Sequence, residues 1–162
     1  MGNLITFYFN KNNNFKPKFS IGPNWYMTLG LNCMIFIISF VIYFLIVRKL
    51  RFIYRITFLI LSFITIISIC RAALVHTEIL MNKYPDLTHN SYCDKCKKYY
   101  NRLDKVEHCN LCKVCIIKYD HHCVWVGKCI GKNNFAAFIQ MMFIGCIFYI
   151  FLIACVIIYK NA

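Results

Sequence analysis

The chain has 162 residues, 60% of them hydrophobic and 15% charged, and its 19 Lys and Arg against 6 Asp and Glu give a formal net charge of +13. Soluble domains average about 45–50% apolar and about 25% charged residues, so an ordinary soluble domain is excluded. Disorder is excluded too, because a disordered chain lacks the aliphatic and aromatic residues that fill this one; few charges, mostly basic, point to membrane embedding with loops at an anionic surface.

Residues 1–24 are a polar lead with Asn12, Asn13 and Asn14, three lysines, and helix-breaking Pro17 and Pro23, expected to be a mobile cytosolic tail. Its start, Met1-Gly2-Asn3-Leu4-Ile5-Thr6, fits a myristoylation pattern, but the motif is short and a multi-pass chain needs no such anchor. Residues 25–47 carry no charge over 23 positions, enough at about 1.5 Å per residue to cross a hydrocarbon core of about 30 Å. Arg48, Lys49, Leu50 and Arg51 make a basic turn into a second apolar run, 52–70, whose Arg55 is placed to snorkel to the interface.

Residues 71–134 differ in kind, holding all 6 acidic residues, 11 of the basic ones, all 5 histidines and 7 of the 11 cysteines. They read as a separate, water-exposed module. Residues 135–159 are again uncharged for 25 positions and form a third span. Cys33, Cys146 and Cys155 lie within apolar runs and are expected to pack as small hydrophobes, as is Cys70 at a membrane boundary. The predicted fold is an α-helical multi-pass membrane protein of three spans, with an irregular, zinc-stabilised cysteine-rich domain between spans 2 and 3. Two crossings put the tail and the module on one side, with 14 basic residues against 5 on the other. The positive-inside tendency makes that side cytosolic.

A reducing cytosol keeps thiols free, so closely spaced cysteines there signify metal or catalysis more often than disulfides. The order is Cys93-x2-Cys96, then His108-Cys109-x2-Cys112-x2-Cys115, then Asp120-His121-His122-Cys123, then Cys129. A C-x2-C pair followed by interleaved Cys and His is a zinc signature, because the short gap presents both sulfurs to one tetrahedral ion. Metal binding would supply folding energy that so polar a module cannot draw from an apolar core. Two Cys3His sites consume six cysteines and two histidines of this run, leaving one cysteine and a neighbouring histidine over. Asp120, His121 and Cys123 have the types needed for an orienting carboxylate, a base and a nucleophile. Spacing alone leaves open which cysteine is free.

The run Asp120-His121-His122-Cys123-Val124-Trp125, with His108-Cys109-x2-Cys112-x2-Cys115 before it and Cys129-Ile130-Gly131-x2-Asn134-x3-Phe138 after it, closely resembles the DHHC-type protein S-acyltransferases, or palmitoyltransferases. The resemblance covers residues 92–138 and extends to two helices before the module. It implies one zinc on Cys93, Cys96, His108 and Cys115, and a second on Cys109, Cys112, His122 and Cys129. It also implies Cys123 as nucleophile, His121 as general base and Asp120 as the group orienting His121. The implied reaction moves a long-chain acyl group, such as palmitate, from acyl-CoA through a Cys123 thioester to membrane-proximal cysteines of target proteins. An endomembrane location, Golgi or endoplasmic reticulum, goes with it.

Lys118, Lys128, Lys132 and Arg102 are candidate cations for CoA phosphates, although for any single lysine attraction to anionic membrane lipid is the preferred reading. No nucleic-acid partner is expected, since the module's modest positive charge follows from topology. Departures from the family pattern are Val124 for Pro, Lys128 for Asn, and Leu103 and Lys105 for Pro and Arg. The family's fourth helix and tail have no counterpart before Ala162, which suggests truncation after the third span. That motivates an alternative: a catalytically silent paralogue serving as a zinc-stabilised membrane adapter.

Overall fold

A computed structural model describes residues 4–11, 14–77 and 90–161. They fall into two compact units, one of Leu29–Ala72 with Ala137–Ala162, the other of Met1–Thr28 with Ala73–Ala136. Three helices carry the apolar sequence: α1 (Trp25–Leu45), α2 (Phe52–Leu74) and α3 (Phe135–Lys160). Each is long and apolar enough to cross a membrane, the spans having mean hydropathy of 2.5, 2.2 and 2.9. None contains proline or an acidic residue, and each is apolar nearly all round, as a helix surrounded by lipid must be.

Within the helical unit, the α1–α2 turn buries Val47 and Leu50 with Phe58 of α2 and Cys155 of α3. Lys49 seals this end, its Nζ donating to Tyr159 Oη at 2.9 Å and lying 5.1 Å from that ring's centre. Ser62, Thr65 and Ser68 donate back to carbonyls of their own helix, which removes three hydroxyls from competition in an apolar setting. α2 runs to Leu74, past the expected end at Cys70, because Arg71-Ala72-Ala73 favours helix and the Arg71 guanidinium donates to Gln140. Of the cysteines expected to pack inside, Cys155 does; Cys33, Cys70 and Cys146 face outward.

The second unit is built from antiparallel hairpins: β1 (Ile5–Lys11) with β2 (Asn14–Ile21), β3 (Asn90–Cys93) with β4 (Lys98–Asn101), β5 (Glu107–Cys109) with β6 (Val114–Ile116), and β7 (His121–Cys123) with β8 (Lys128–Ile130). The first hairpin corrects the expectation of a mobile tail. Alternating residues from Ile5 onward suit a strand, and Pro17 pairs with Tyr8 beside a register shift, where a missing N–H is tolerated. Phe7 and Phe19 stack at 4.5 Å, and Leu4 packs with Cys109, Cys112, Ile116 and Cys129 while its N–H donates to the Cys112 carbonyl. Around β3–β8 the buried side chains are largely sulfur, with Val106, Ile116, Val126 and Ile130 among the few aliphatics. Such a core is too small to order the unit alone.

Candidate active site and metal clusters

Three hairpins repeat one plan. In each, a first Cys starts a tight turn and the strand resumes five residues later, giving the pairs Cys93↔Lys98, Cys109↔Val114 and Cys123↔Lys128. The residue before that Cys faces the next position along: Tyr92↔Tyr99, His108↔Cys115 and His122↔Cys129. The fifth residue of each turn adopts a left-handed backbone, Lys97 at φ 51°, Lys113 at φ 59° and Gly127 at φ 80°. Because side chains alternate across a strand, each hairpin offers its turn sulfurs to one side and its cross-strand pair to the other.

The clusters follow from this alternation. Cys93 and Cys96 from the β3–β4 turn meet His108 and Cys115, the cross-strand pair of β5–β6; Cys109 and Cys112 from the β5–β6 turn meet His122 and Cys129, the pair of β7–β8. Within each group the ligand atoms lie within 4.8 Å of one another. His122 Nδ1 stands 3.5 Å from each of the Cys109, Cys112 and Cys129 sulfurs. A tetrahedral zinc with bonds of about 2.3 Å to sulfur and 2.0 Å to nitrogen has an S–N edge of about 3.5 Å, so the donor set fits that ion. In the first cluster His108 Nδ1 lies 3.1 Å from Cys96 Sγ and 3.9 Å from Cys115 Sγ.

Electrostatics agree with the geometry. Hydrogen bonds from Cys112 and Cys129 drive the Cys109 thiol far down, while their sharing with Cys109 pushes Cys112 up to about 12 and Cys129 higher still. Burial and the neighbouring Cys96 and Cys93 sulfurs raise Cys115, and burial lowers His108. One thiolate suppresses ionisation of its neighbours, so a cation is what would let all three sulfurs ionise.

The third turn breaks the relay. Where Cys96 and Cys112 stand in the first two, the third has Val126, buried, and neither cluster includes Cys123. His121 and Cys123 flank His122 on β7 and therefore share the opposite strand face from the cluster histidine. His121 Nδ1 donates to Asp120 Oδ2 at 2.7 Å, which fixes the tautomer and leaves Nε2 as the acceptor. Cys123 is 8% exposed, whereas Val124 and Trp125 beside it are 41% and 56% exposed.

Residues that sequence reasoning missed hold this arrangement. The Asn24 carboxamide accepts from His122 Nε2 at 3.1 Å, so it orients the ring whose Nδ1 faces the sulfurs, and its own amide donates to Tyr26 Oη. Asn24 N–H donates to the Gly127 carbonyl, and Thr28 Oγ1 to that of Trp125, stitching the start of α1 to the third turn. A second network is centred on the buried side chains of Lys128, Ser20, Thr77 and Asn134. Lys128 Nζ donates to Ser20 O, Ser20 Oγ and Val75 O at 2.9, 3.0 and 2.7 Å. Asn134 donates to Cys129 O and Thr77 Oγ1 and accepts from Gly131 N–H.

Lys128 is therefore unavailable to a phosphate, contrary to expectation; burial lowers its ammonium to about 7, opposed by charge on Cys112. Arg102 donates to Ser91 Oγ, and Lys118 and Lys132 of the four candidate cations line one pocket. An asparagine before a helix ordinarily signals a cap. Nothing in the sequence ties Asn24 to a histidine 98 positions away.

The stretch between the second and third membrane-length helices thus holds two groups that could bind a metal and keeps Cys123 out of both, on the strand face of a carboxylate-held histidine. Residues 86–161 match the family model described as DHHC palmitoyltransferase. Among curated proteins the chain is similar to probable protein S-acyltransferase 13 of Arabidopsis thaliana, 46% identical over 52 residues, covering 32% of this chain and 17% of that protein. Probable protein S-acyltransferase 6 of the same plant is 40% identical over 72 residues, 43% of this chain and 17% of the relative. Human palmitoyltransferase ZDHHC15 is 41% identical over 51 residues, 32% of this chain and 14% of the relative. The matched stretch thus spans less than a fifth of the length of each of these relatives.

Proposed function

We propose that the chain acts as a protein S-acyltransferase, carrying a long-chain acyl group from acyl-CoA to cysteines of target proteins through a thioester on Cys123. The observation that carries this reading is the broken relay: the third hairpin repeats the cysteine turn of the other two, but its sulfur belongs to neither cluster and lies on the strand face of His121. Cys93, Cys96, His108 and Cys115 would hold one zinc, and Cys109, Cys112, His122 and Cys129 the other. Such closed sites supply folding energy and hold β7 in register.

His121, held by Asp120, takes the Cys123 proton, and the thiolate attacks the thioester carbonyl of the donor. The C–S bond to CoA breaks as the new one to Cys123 forms, and the CoA thiolate recovers the proton from His121. A target cysteine, deprotonated in the same way, then attacks the acyl-enzyme and leaves acylated, restoring Cys123. The acyl chain is placed against Val124 and Trp125, the exposed apolar pair next to Cys123. Facing the module to the cytosol of an endomembrane gives it access to CoA esters and to membrane-proximal cysteines.

Full-length chain in nanodiscs, incubated with labelled palmitoyl-CoA, is expected to acquire a hydroxylamine-sensitive label that Cys123→Ala abolishes. A label surviving that substitution would remove Cys123 from its role. Metal analysis is expected to give about two zinc per chain.

A further inference from the structure

A pocket of about 560 Å3 in the hairpin unit lies apart from both clusters; its lining includes Leu103, Lys105, Lys118, Asp120, Lys132 and Phe135, and neither His121 nor Cys123. The three lysines are brought together by backbone bonds. Lys118 N–H donates to the Asp104 carbonyl, Tyr119 N–H to that of Lys105, and Lys132 N–H to that of Ile117, all at 3.1–3.2 Å. Lys105 and Lys118 moreover sit in left-handed backbone, φ 45° and 49°, where lysine has no intrinsic preference to be. The lining's one carboxylate, Asp120, already accepts from His121 at 2.7 Å. Gathered like charge raises a positive potential that an anion relieves.

The rim adds a second requirement. Leu103 is 85% exposed and Phe135 44% exposed, and Phe135 is the first residue of the 26-residue apolar helix α3. Exposed cations beside exposed apolar side chains in one open depression, where α3 begins, suit an amphiphile: a soluble phosphate gains nothing from Leu103 and Phe135, whereas a lipid does. We propose that this pocket seats the phosphate of an anionic phospholipid, with Leu103 and Phe135 against its glycerol and upper acyl region. The proposal is independent of the acyl-transfer reading.

Native mass spectrometry of the full chain in detergent, supplied with equal phosphatidic acid and phosphatidylcholine, tests it. The wild type is expected to retain phosphatidic acid about 100-fold in preference, since each of the three lysines near an anionic headgroup contributes about five-fold. The triple variant Lys105→Gln, Lys118→Gln, Lys132→Gln should fall to near parity with zinc content unchanged. Each single variant should lose about five-fold, which is readable even if the triple variant misfolds. The three Lys→Arg changes should preserve the preference, as should Lys95→Gln, Lys97→Gln, Lys98→Gln, which removes the same charge elsewhere. Equal losses in the two Gln triples would reduce the effect to net charge and overturn the proposal. Displacement of phosphatidic acid by excess free CoA would overturn it too, assigning the pocket to the thioester donor.

Discussion

The hairpins β5–β6 and β7–β8 are the same object put to two uses. Both pair a histidine with a cysteine across the strands, His108 with Cys115 and His122 with Cys129, and both start their turn on a cysteine. In β5–β6 the turn brings a second sulfur, Cys112, and the next hairpin closes the tetrahedron from the far side. In β7–β8 that place belongs to Val126, and after β8 the chain enters α3 instead of another hairpin. On the proposed reading a reactive thiol arises by subtraction: the scaffold that would present Cys109 to a metal leaves Cys123 on His121's side of the strand.

The sharpest way to break the comparison is to remove the two equivalent sulfurs. Cys109→Ser should lower zinc from about two per chain to one and strongly destabilise the β7–β8 end of the hairpin unit, since a structural zinc site contributes about 10 kcal/mol or more of apparent binding energy. Cys123→Ser should keep both ions and change stability by less than about 1 kcal/mol, yet abolish acyl labelling. Metal analysis and hydrogen exchange separate the outcomes; zinc loss on Cys123→Ser would end the distinction between the turns.

Protons give the next effect. Cys112 is pushed up to about 12 and Cys129 beyond it by sharing with Cys109, so in the metal-free chain both carry protons at neutral pH. Metal must displace them, so apparent zinc affinity should rise with pH and fall in acid. Competition with a chelator from about pH 6 to 8 should show a positive slope of log affinity, close to the number of protons released. A flat profile would mean that the thiols are already ionised without metal.

The helices were legible in the sequence because they rest on local counting of long apolar runs, and the fixed C-x2-C gap pointed to metal, while the ligand groups came only with the family resemblance. The DHHC run was legible as a resemblance over many ordered positions. What stayed hidden depends on pairing between distant segments. Ser20 and Val75 meet Lys128 across 108 and 53 positions, and Leu4 reaches Cys112. The polar lead looked like a tail because prolines and asparagines depress strand propensity, yet its alternating apolar residues pair once Leu4 is buried among the cluster sulfurs. Lys128 misled for a related reason: an isolated lysine reads as solvent-exposed, and only three convergent acceptors make its burial tolerable.

Smaller effects sharpen the comparison from the supporting residues. His122 has an orienting partner in Asn24, so Asn24→Ala should weaken the second site about 10- to 100-fold and leave the first unchanged. Cobalt substitution followed by chelator titration resolves the two sites by their different release. Equal weakening of both would show that Asn24 acts through general stability. Lys128→Met strands Ser20 and Val75 acceptors in a buried place and should cost about 1–3 kcal/mol.

The smallest effects probe the turns themselves. All three share a left-handed fifth residue, but only the last uses glycine, and the reason is space: a Cβ on Gly127 would stand 3.0 Å from the Asn24 carbonyl carbon and oxygen. Gly127→Ala therefore meets both an unfavourable backbone region and a crowded one, and should cost about 1–3 kcal/mol. Lys113 has the same backbone in the β5–β6 turn, so Lys113→Gly should relieve strain there and stabilise by less than about 1 kcal/mol, chain entropy offsetting part of the gain. Thermal unfolding of the zinc-loaded chain should move in opposite directions for the two. Shifts of the same sign would mean that the turns are alike in register only, and that Cys123 does not inherit its position from the metal-binding pattern.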